Sequence, residues 1–537
     1  MSLNGAAVLV DALHTAGVHQ VFTLSGNQIL SIYDACLDRG IRLFDTRHEA
    51  AAAHLADASA RLTGEPGVCL VSAGPGHTNA LTGVANAALA ESPVLWLSGG
   101  SDLKLTGTGA FQEMDQIGIA RTVCKSAWRV EDLATLPRLL ARAWRTMLEG
   151  RPGPVHLTLP ADLLRASLSA PPTMPEAAAF QPTLRPADPT LVKRALRLLA
   201  EAKRPVVLAG PSVGRGANRD RLERFSGQTG VPWFPLESPR GIGDPALHHL
   251  GSTLREADVA LLFGHLDFTV PWPGMPSLGG ATRLIQVTPV SVSSGARRAV
   301  AFEIEGDAGP VLDQLLDQAG SHSWNVDAWR RLINTRRNEN QGAFGDFERS
   351  DDVPLHPFRV VAEVRKLLPV GTTVSIDGGE FAQWARWALG ENAFPTLLNG
   401  KLGMIGPAIP FAIAAALICP DHPSVAFLGD GTFGFHAMEF DTAVRHGIPF
   451  VAIVGNDAAW AAERHRQVAL YGESRVVASE LRPARYDEVV RALGGHGEFV
   501  ERPEQLGPAV QRALASRKPA CVNVIIRSVP SPAAGAI

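Results

Sequence analysis

Short apolar runs recur along almost the whole chain, each followed by a stretch long enough for a helix. The candidate strands are 20–25, 68–72, 94–98, 155–159, 206–209, 259–263, 284–287, 373–376, 425–428, 451–454 and 522–526. Most are continuously apolar and do not alternate with polar residues. A strand reads that way when both its faces are covered. Strands of that kind separated by helices build βαβ units, which wind into parallel sheets. The pattern therefore predicts an α/β protein of doubly wound parallel-sheet domains.

Two changes of composition divide the chain. Residues 169–188 (SAPPTMPEAAAFQPTLRPAD) are rich in Pro and Ala and read as a linker. Residues 321–356 are polar and read as a helix and a crossing segment. The predicted domains are 1–168, 189–320 and 357–529, and 530–537 is a Pro/Ala-rich tail expected to be mobile unless something docks on it. Lys plus Arg is 50 against 53 Asp plus Glu, a formal charge of -3, so no basic field for nucleic acid is expected. With 46% hydrophobic and 19% charged residues the chain can bury large cores, which excludes disorder as its main state. Cys36, Cys69, Cys124, Cys419 and Cys521 are scattered, which argues against a disulfide framework or structural zinc. The opening MSLNGAAVLVDALHTAGV lacks a basic leader region and reads as a first helix. The apolar run 408–419 is too short to span a bilayer. These features lead to the expectation of a soluble, cytoplasmic protein of enzyme size in a reducing compartment, with no membrane partner.

The strongest local feature is VAFLGDGTFGFHAMEFDTAVRHGIPFVAIVGNDAAW, from Val425. One strand runs into Gly429-Asp430-Gly431-Thr432, a helix is predicted over 436–446, and a second strand runs into Gly455-Asn456-Asp457-Ala458. Both turns fall at carboxyl ends of strands, where open α/β sheets bind ligands. Glycines let backbone N–H groups approach a phosphate, and helix N-termini favour anions. A carboxylate (Asp430) and an amide oxygen (Asn456) there suit one hard cation such as magnesium. Taken singly, each piece also reads as an ordinary βα turn or a helix N-cap.

Gly-Asp-Gly with Asn456 placed 26 residues after Asp430 (430 to 456) resembles the diphosphate and metal motif of thiamine diphosphate enzymes. VFTLSGNQILSIYDACLDRGIRLFDTRHEAAAAHLADASARLTGEPGVCLVSAGPGHTNALTGVANA is similar to the pyrimidine-binding domain of the acetolactate synthase-like branch. RPVVLAGPSVGR is similar to the opening of its middle domain, and DGGEFAQWARWAL with GKLGMIGPAIPFAIAAAL to the start of its diphosphate-binding domain. The resemblance covers nearly the whole chain and implies three such domains. It also implies a homodimer or homotetramer in which one subunit holds the pyrimidine end of thiamine diphosphate and another the diphosphate end.

The resemblance assigns roles by position. Asp430, Asn456 and the carbonyl of Ala458 would hold Mg2+, which clamps the diphosphate. Gly429, Gly431 and Thr432, with Gly379 and Glu380, would form the phosphate cradle. The Gly403 carbonyl would accept from the pyrimidine amine, and Ile405 would be the apolar wedge that bends the cofactor. Glu49 would hydrogen-bond the pyrimidine nitrogen and start proton exchange, giving an ylide and then an enamine. Spacing alone offers Glu49 another role, since Thr46-Arg47-His48-Glu49 matches a Thr-x-x-Glu capping box. His48 is placed either as an orienter of that turn or in a direct role. Gln112, Phe111, Gln28 and His77 are expected on the substrate side, His77 as a proton shuttle or as a structural turn histidine. Trp460 reads as a pocket cap or a core aromatic. Arg464, Arg466 and Arg475, interleaved with Glu463 and Glu473, read as a solvated face.

Three departures bear on substrate. Acetolactate synthases continue the metal motif with Gly-Met-Val-x-Gln-Trp-Gln, whereas this chain has DAAWAAERHR from Asp457, with His465 at the tryptophan position. Relatives that bind FAD or ADP in the middle domain carry Gly-x-Arg-x-Asp and a later acidic residue. Here those are Gly264-His265-Leu266-Asp267 and Thr288, so neither nucleotide is assumed. Gly455 stands where many relatives have a second Asn. The DGGEFAQWAR and GNDAAW stretches are more similar to the lyases of the branch, 2-hydroxyacyl-CoA lyases included. The expected activity is a magnesium-dependent carbon–carbon lyase or carboligase acting on 2-hydroxyacyl-CoA or acyloin-type substrates. The alternatives are an acetolactate synthase or 2-oxoacid decarboxylase, an inactive cofactor-binding subunit, and a nicotinamide oxidoreductase. The last lacks a strand-linked G-x-G-x-x-G.

Overall fold

The computed structural model describes residues 3–269, 275–289, 300–391 and 393–532, with the backbone alone at Phe268. The chain divides into two compact units, Met1–Thr183 and Leu184–Ile537.

The first unit is built on six strands: β1 (Gln20–Thr23), β2 (Arg42–Asp45), β3 (Gly67–Val71), β4 (Val94–Gly100), β5 (Ser126–Arg129) and β6 (Val155–Pro160). Their order is β2-β1-β3-β4-β6-β5, and every pairing is parallel. Every residue of β3, β4 and β6 is buried, as their continuous apolar runs require.

The second unit carries two sheets. One holds β7 (Pro205–Ala209), β8 (Trp233–Pro235), β9 (Val259–Phe263), β10 (Arg283–Thr288) and β11 (Phe302–Glu305), in the order β11-β10-β9-β7-β8. The other holds β12 (Thr373–Ile376), β13 (Thr396–Leu398), β14 (Ser424–Gly429), β15 (Val451–Asn456), β16 (His496–Val500) and β17 (Ala520–Ile525), in the order β13-β12-β14-β15-β17-β16. Numbered from its own first strand, this last sheet repeats the order of the first unit's sheet. No sequence repeat announces that duplication.

The two sheets of the second unit are tied by buried polar contacts. Arg386 Nε reaches both Asp244 carboxylate oxygens at 2.9 Å, and His248 Nε2 lies 2.9 Å from the Trp387 carbonyl. Trp329 Nε1 donates to the Pro205 carbonyl at 3.1 Å, which fastens the helix Asp327–Gly342 under the five-stranded sheet. The tail expectation needs correcting at its start. Ser531 is buried and its N–H donates to Glu380 Oε1, while 533–537 lie outside the described residues. Among the described residues no helix is long and apolar enough to cross a membrane.

Candidate active site

Glu49 begins a helix, Glu49–Thr63, directly after β2. The capping box does not form. His48 is the N-cap, its Nδ1 accepting from the Ala50 N–H at 3.1 Å, and Thr46 Oγ1 donates to the His48 and Thr23 carbonyls. Because a ring nitrogen caps the helix, the Glu49 carboxylate is not spent on its own backbone. Its Oε2 instead accepts from Asn79 Nδ2 at 3.0 Å. Asn79 comes from the helix Pro75–Leu89, which starts in the GPGHTN turn after β3.

Gln28 and Gln112 also meet, with Gln28 Nε2 donating to Gln112 Oε1 at 2.7 Å. Gln112 takes a left-handed backbone (φ 61°), a conformation that costs a non-glycine residue energy and holds this side chain over the turn. Phe111 beside it is 78% exposed. His77 is placed apart from this group. Its ring is fully buried, stacks on Trp96 at 4.0 Å and reaches Ser98 Oγ through Nδ1 at 2.9 Å. Burial pulls its pKa down to about 4, so it sits neutral in the core and is poorly placed to shuttle protons.

In the second unit a cavity of about 260 Å³ opens at the carboxyl ends of β12, β14 and β15. Its wall includes Gly379, Glu380, Gly403, Ile405, Gly429, Asp430, Gly431, Thr432 and Trp460, so most cradle residues predicted from the motifs share one space. The organiser is Asp377, 2% exposed. Its carboxylate accepts from the N–H groups of Gly378 (2.7 Å), Gly406 (2.8 Å) and Ala408 (3.0 Å). One side chain thereby locks the DGGE turn to the loop that carries Gly403 and Ile405. Burial pushes the Asp377 carboxyl up to about 6, against the pull of those three donors.

The helix predicted over 436–446 starts earlier. It opens at Asp430, directly at the end of β14, runs to His436, and resumes over Glu439–Arg445. Asp430 and Gly431 thus form the first turn of a helix, and their backbone N–H groups face the Asp430 carboxylate. Asp430 Oδ2 is buried without a hydrogen-bond partner. Burial and the neighbouring Asp457 carboxylate raise the Asp430 pKa to about 7. A buried oxygen in that state calls for a cation or a proton.

At the end of β15 and beyond it, Gly455, Asp457 and Ala459 line the cavity. The amide nitrogen of Asn456 is committed elsewhere, Nδ2 donating to the Ala484 carbonyl and to Asn523 Oδ1, both at 3.1 Å. Its Oδ1 accepts from the Ala458 N–H at 3.3 Å. Ala458 has a left-handed backbone (φ 55°), and its carbonyl accepts from the Leu481 N–H at 2.6 Å. Among the described residues, no group of three or more His, Cys, Asp or Glu converges as a metal cluster.

Trp460 covers the turn. A Cβ on Gly431 would lie 2.6 Å from its ring, which is why that position is glycine. His465 bridges Ser528 Oγ (Nε2, 3.2 Å) and Glu380 Oε2 (Nδ1, 3.6 Å). Burial raises the Glu380 pKa, but His465 and the Ser531 N–H outweigh it and leave the carboxyl below its ordinary value. Arg464 pairs with Glu473 at the surface, whereas Arg466 belongs to the cavity wall. The middle-domain position Thr288 is buried at the end of β10.

Asn79, Asp377 and Asp457 escaped the sequence reading. Each sits within a motif already singled out (GPGHTN, DGGE and GNDAA), so the missing signal was orientation within the turn.

Comparison with known proteins follows the same division. Residues 3–119 match the thiamine pyrophosphate enzyme N-terminal TPP binding domain, 192–315 the central domain and 377–524 the C-terminal TPP binding domain. A probable acetolactate synthase of Mycobacterium bovis is 36% identical over 542 residues, covering 98% of this chain and 96% of that protein. 2-Hydroxyacyl-CoA lyase 2 of Bos taurus is 32% identical over 550 residues (94% and 86%), and oxalyl-CoA decarboxylase of Escherichia coli 29% over 548 residues (99% and 96%). With all three domains matched in order and the first relative aligned nearly end to end, the chain belongs to the thiamine pyrophosphate enzyme family.

Proposed function

We propose that this protein is a thiamine diphosphate- and magnesium-dependent carbon–carbon lyase or carboligase. The observation that carries the reading is the unpartnered, buried Oδ2 of Asp430 beside a cradle of glycine turns. Asp430 Oδ2 would be satisfied by a divalent cation, and the glycine turns around it would receive the diphosphate. Asn456 Oδ1 and the Ala458 carbonyl would complete the ligand set. Each already accepts one hydrogen bond and keeps a second lone pair.

The cofactor supplies a nucleophilic carbon that adds to a carbonyl and takes up the electrons of the breaking C–C bond. Glu49 would hold and move the proton at the pyrimidine nitrogen, oriented by Asn79. Gly403 and Ile405, fixed through Asp377, would set the bend of the cofactor. Gln28 and Gln112, already hydrogen-bonded, would face the substrate. The retained Glu49 carboxylate argues against an inactive subunit. We place substrates in the 2-hydroxyacyl-CoA or acyloin class because His465, held by Ser528 beside Glu380, stands where synthases have tryptophan. The 36% identity to a probable acetolactate synthase favours a second reading, in which a 2-oxoacid is donor.

Calorimetric titration with thiamine diphosphate and magnesium should show saturable binding that Asp430→Ala abolishes. Turnover would then be screened on pyruvate, acyloins and 2-hydroxyacyl-CoA thioesters. Activity that survives Glu49→Gln undiminished would overturn the assigned proton path.

A further inference from the structure

The wall of the cavity in the second unit includes two guanidinium groups, those of Arg240 and Arg466. Arg240 lies on the loop after β8, its backbone N–H donating to Ser238 Oγ at 3.2 Å. Its Nε is buried without a hydrogen-bond partner. The carboxylates around it are already engaged. Asp244 is held by Arg386, with Nη2 at 2.5 Å and Nε at 2.9 Å. Glu380 accepts from the Ser531 N–H and faces His465 at 3.6 Å. Asp430 and Asp457 line the same cavity, and the charge of Asp457 acts on Asp430. Asp244 and Glu380 act on the Arg240 charge from nearby, but its buried Nε has no acceptor; a buried donor left unpaired is costly, and a binding cavity is where a ligand can supply the acceptor. The guanidinium fork presents parallel N–H donors suited to two oxygens of one anion.

We propose that Arg240, with Arg466 beside the same space, binds an oxyanionic group inside this cavity: a terminal phosphate of the cofactor, or a carboxylate or phosphate of the substrate. The assignment rests on the reading that the cavity takes thiamine diphosphate. It adds an anion contact donated by the five-stranded sheet's domain to a cradle otherwise built from glycine turns.

The test is titration calorimetry on the full chain, comparing wild type, Arg240→Gln, Arg240→Lys and Arg240→Met. One arm measures thiamine diphosphate with magnesium. The second measures oxalate and coenzyme A against the loaded protein. Arg240→Gln should weaken at least one arm tenfold or more, and Arg240→Lys should weaken it less, because it keeps the charge and loses the fork. Weaker cofactor binding identifies the diphosphate as the anion. Unchanged cofactor binding with weaker oxalate or coenzyme A identifies a substrate group. Arg240→Met serves in place of the Gln variant if far-UV circular dichroism shows that variant unfolded. If neither arm changes by more than twofold in a folded variant, the proposal is overturned. A wild-type protein that fails to bind the cofactor would instead defeat the function proposed above.

Discussion

Glu49 and His77 show how one turn chemistry yields opposite environments. Both follow a strand of the same sheet, and both were candidates for proton transfer. Glu49 keeps its carboxylate for Asn79 because His48 caps the helix in its place. His77 turns inward onto Trp96. Residue type and motif revealed that chemistry was near, but the choice between core and cavity depends on a single side-chain direction that no spacing encodes. The burial of His77 has a measurable consequence. Its pKa falls from 6.5 to about 4 on folding, so the unfolded chain takes up the proton first as the solution is acidified. The stability gained by keeping the ring neutral is complete above about pH 6.5 and is lost as pH drops toward 4. By pH 5 the loss from this ring alone is about 2 kcal/mol. Urea unfolding at pH 7.5 and pH 5 should show His77→Gln less stable than wild type at the higher pH but less sensitive to the change. Equal sensitivity in the two proteins would mean that His77 is not buried neutral.

At the scale of elements, the interior strands were legible and the edges were not. Among the described residues, the six strands missing from the sequence reading, β2, β5, β8, β11, β13 and β16, are the edge strands of the three sheets. An edge strand covers less apolar surface, so β11 (Phe302–Glu305) and β16 (His496–Val500) mix buried with half-exposed residues and leave no continuous run to find. The same scale explains the departure at Gly455. It pairs with Gly429 across β14 and β15, and a Cβ there would lie 2.5 Å from the ring of Phe381. The helix Glu380–Leu389 thus packs its phenylalanine onto the strand end, and the smallest residue at 455 is what admits it. Gly455→Ala should destabilise by about 1–3 kcal/mol through overpacking. Phe381→Leu opens the space, and the double variant should recover at least ~1 kcal/mol relative to the sum of the singles. Denaturant titrations of the four proteins give the cycle. Strict additivity would show that the two residues do not compete for that space.

For the whole molecule, the repeated strand order assigns the proposed machinery to two related sheets. Glu49 follows the second strand of one sheet, and Asp430 the third strand of the other. The first sits in the unit Met1–Thr183 and the second in Leu184–Ile537. The resemblance implies, as an expectation still to be tested, that the pyrimidine-binding half of one subunit meets the diphosphate-binding half of another. That pairing has a consequence that does not depend on knowing the substrate's fine selectivity. Neither Glu49→Gln nor Asp430→Ala alone should turn over. If each site draws on two subunits, a mixed dimer of the two variants contains one site with both lesions and one with neither. Co-expressed or dissociated and randomly reassorted, half the dimers are mixed and half the sites in each are intact, so about a quarter of wild-type activity returns. If instead each chain completes its own site, every site in the mixture carries a lesion and no activity returns. If thiamine diphosphate binding requires Asp430 and tolerates Glu49→Gln, the mixture should bind at about half the wild-type stoichiometry in the first case and in the second. The contrast between half occupancy and quarter activity is therefore the signature of a site shared between subunits, and a mixture with half occupancy and no activity would rule it out.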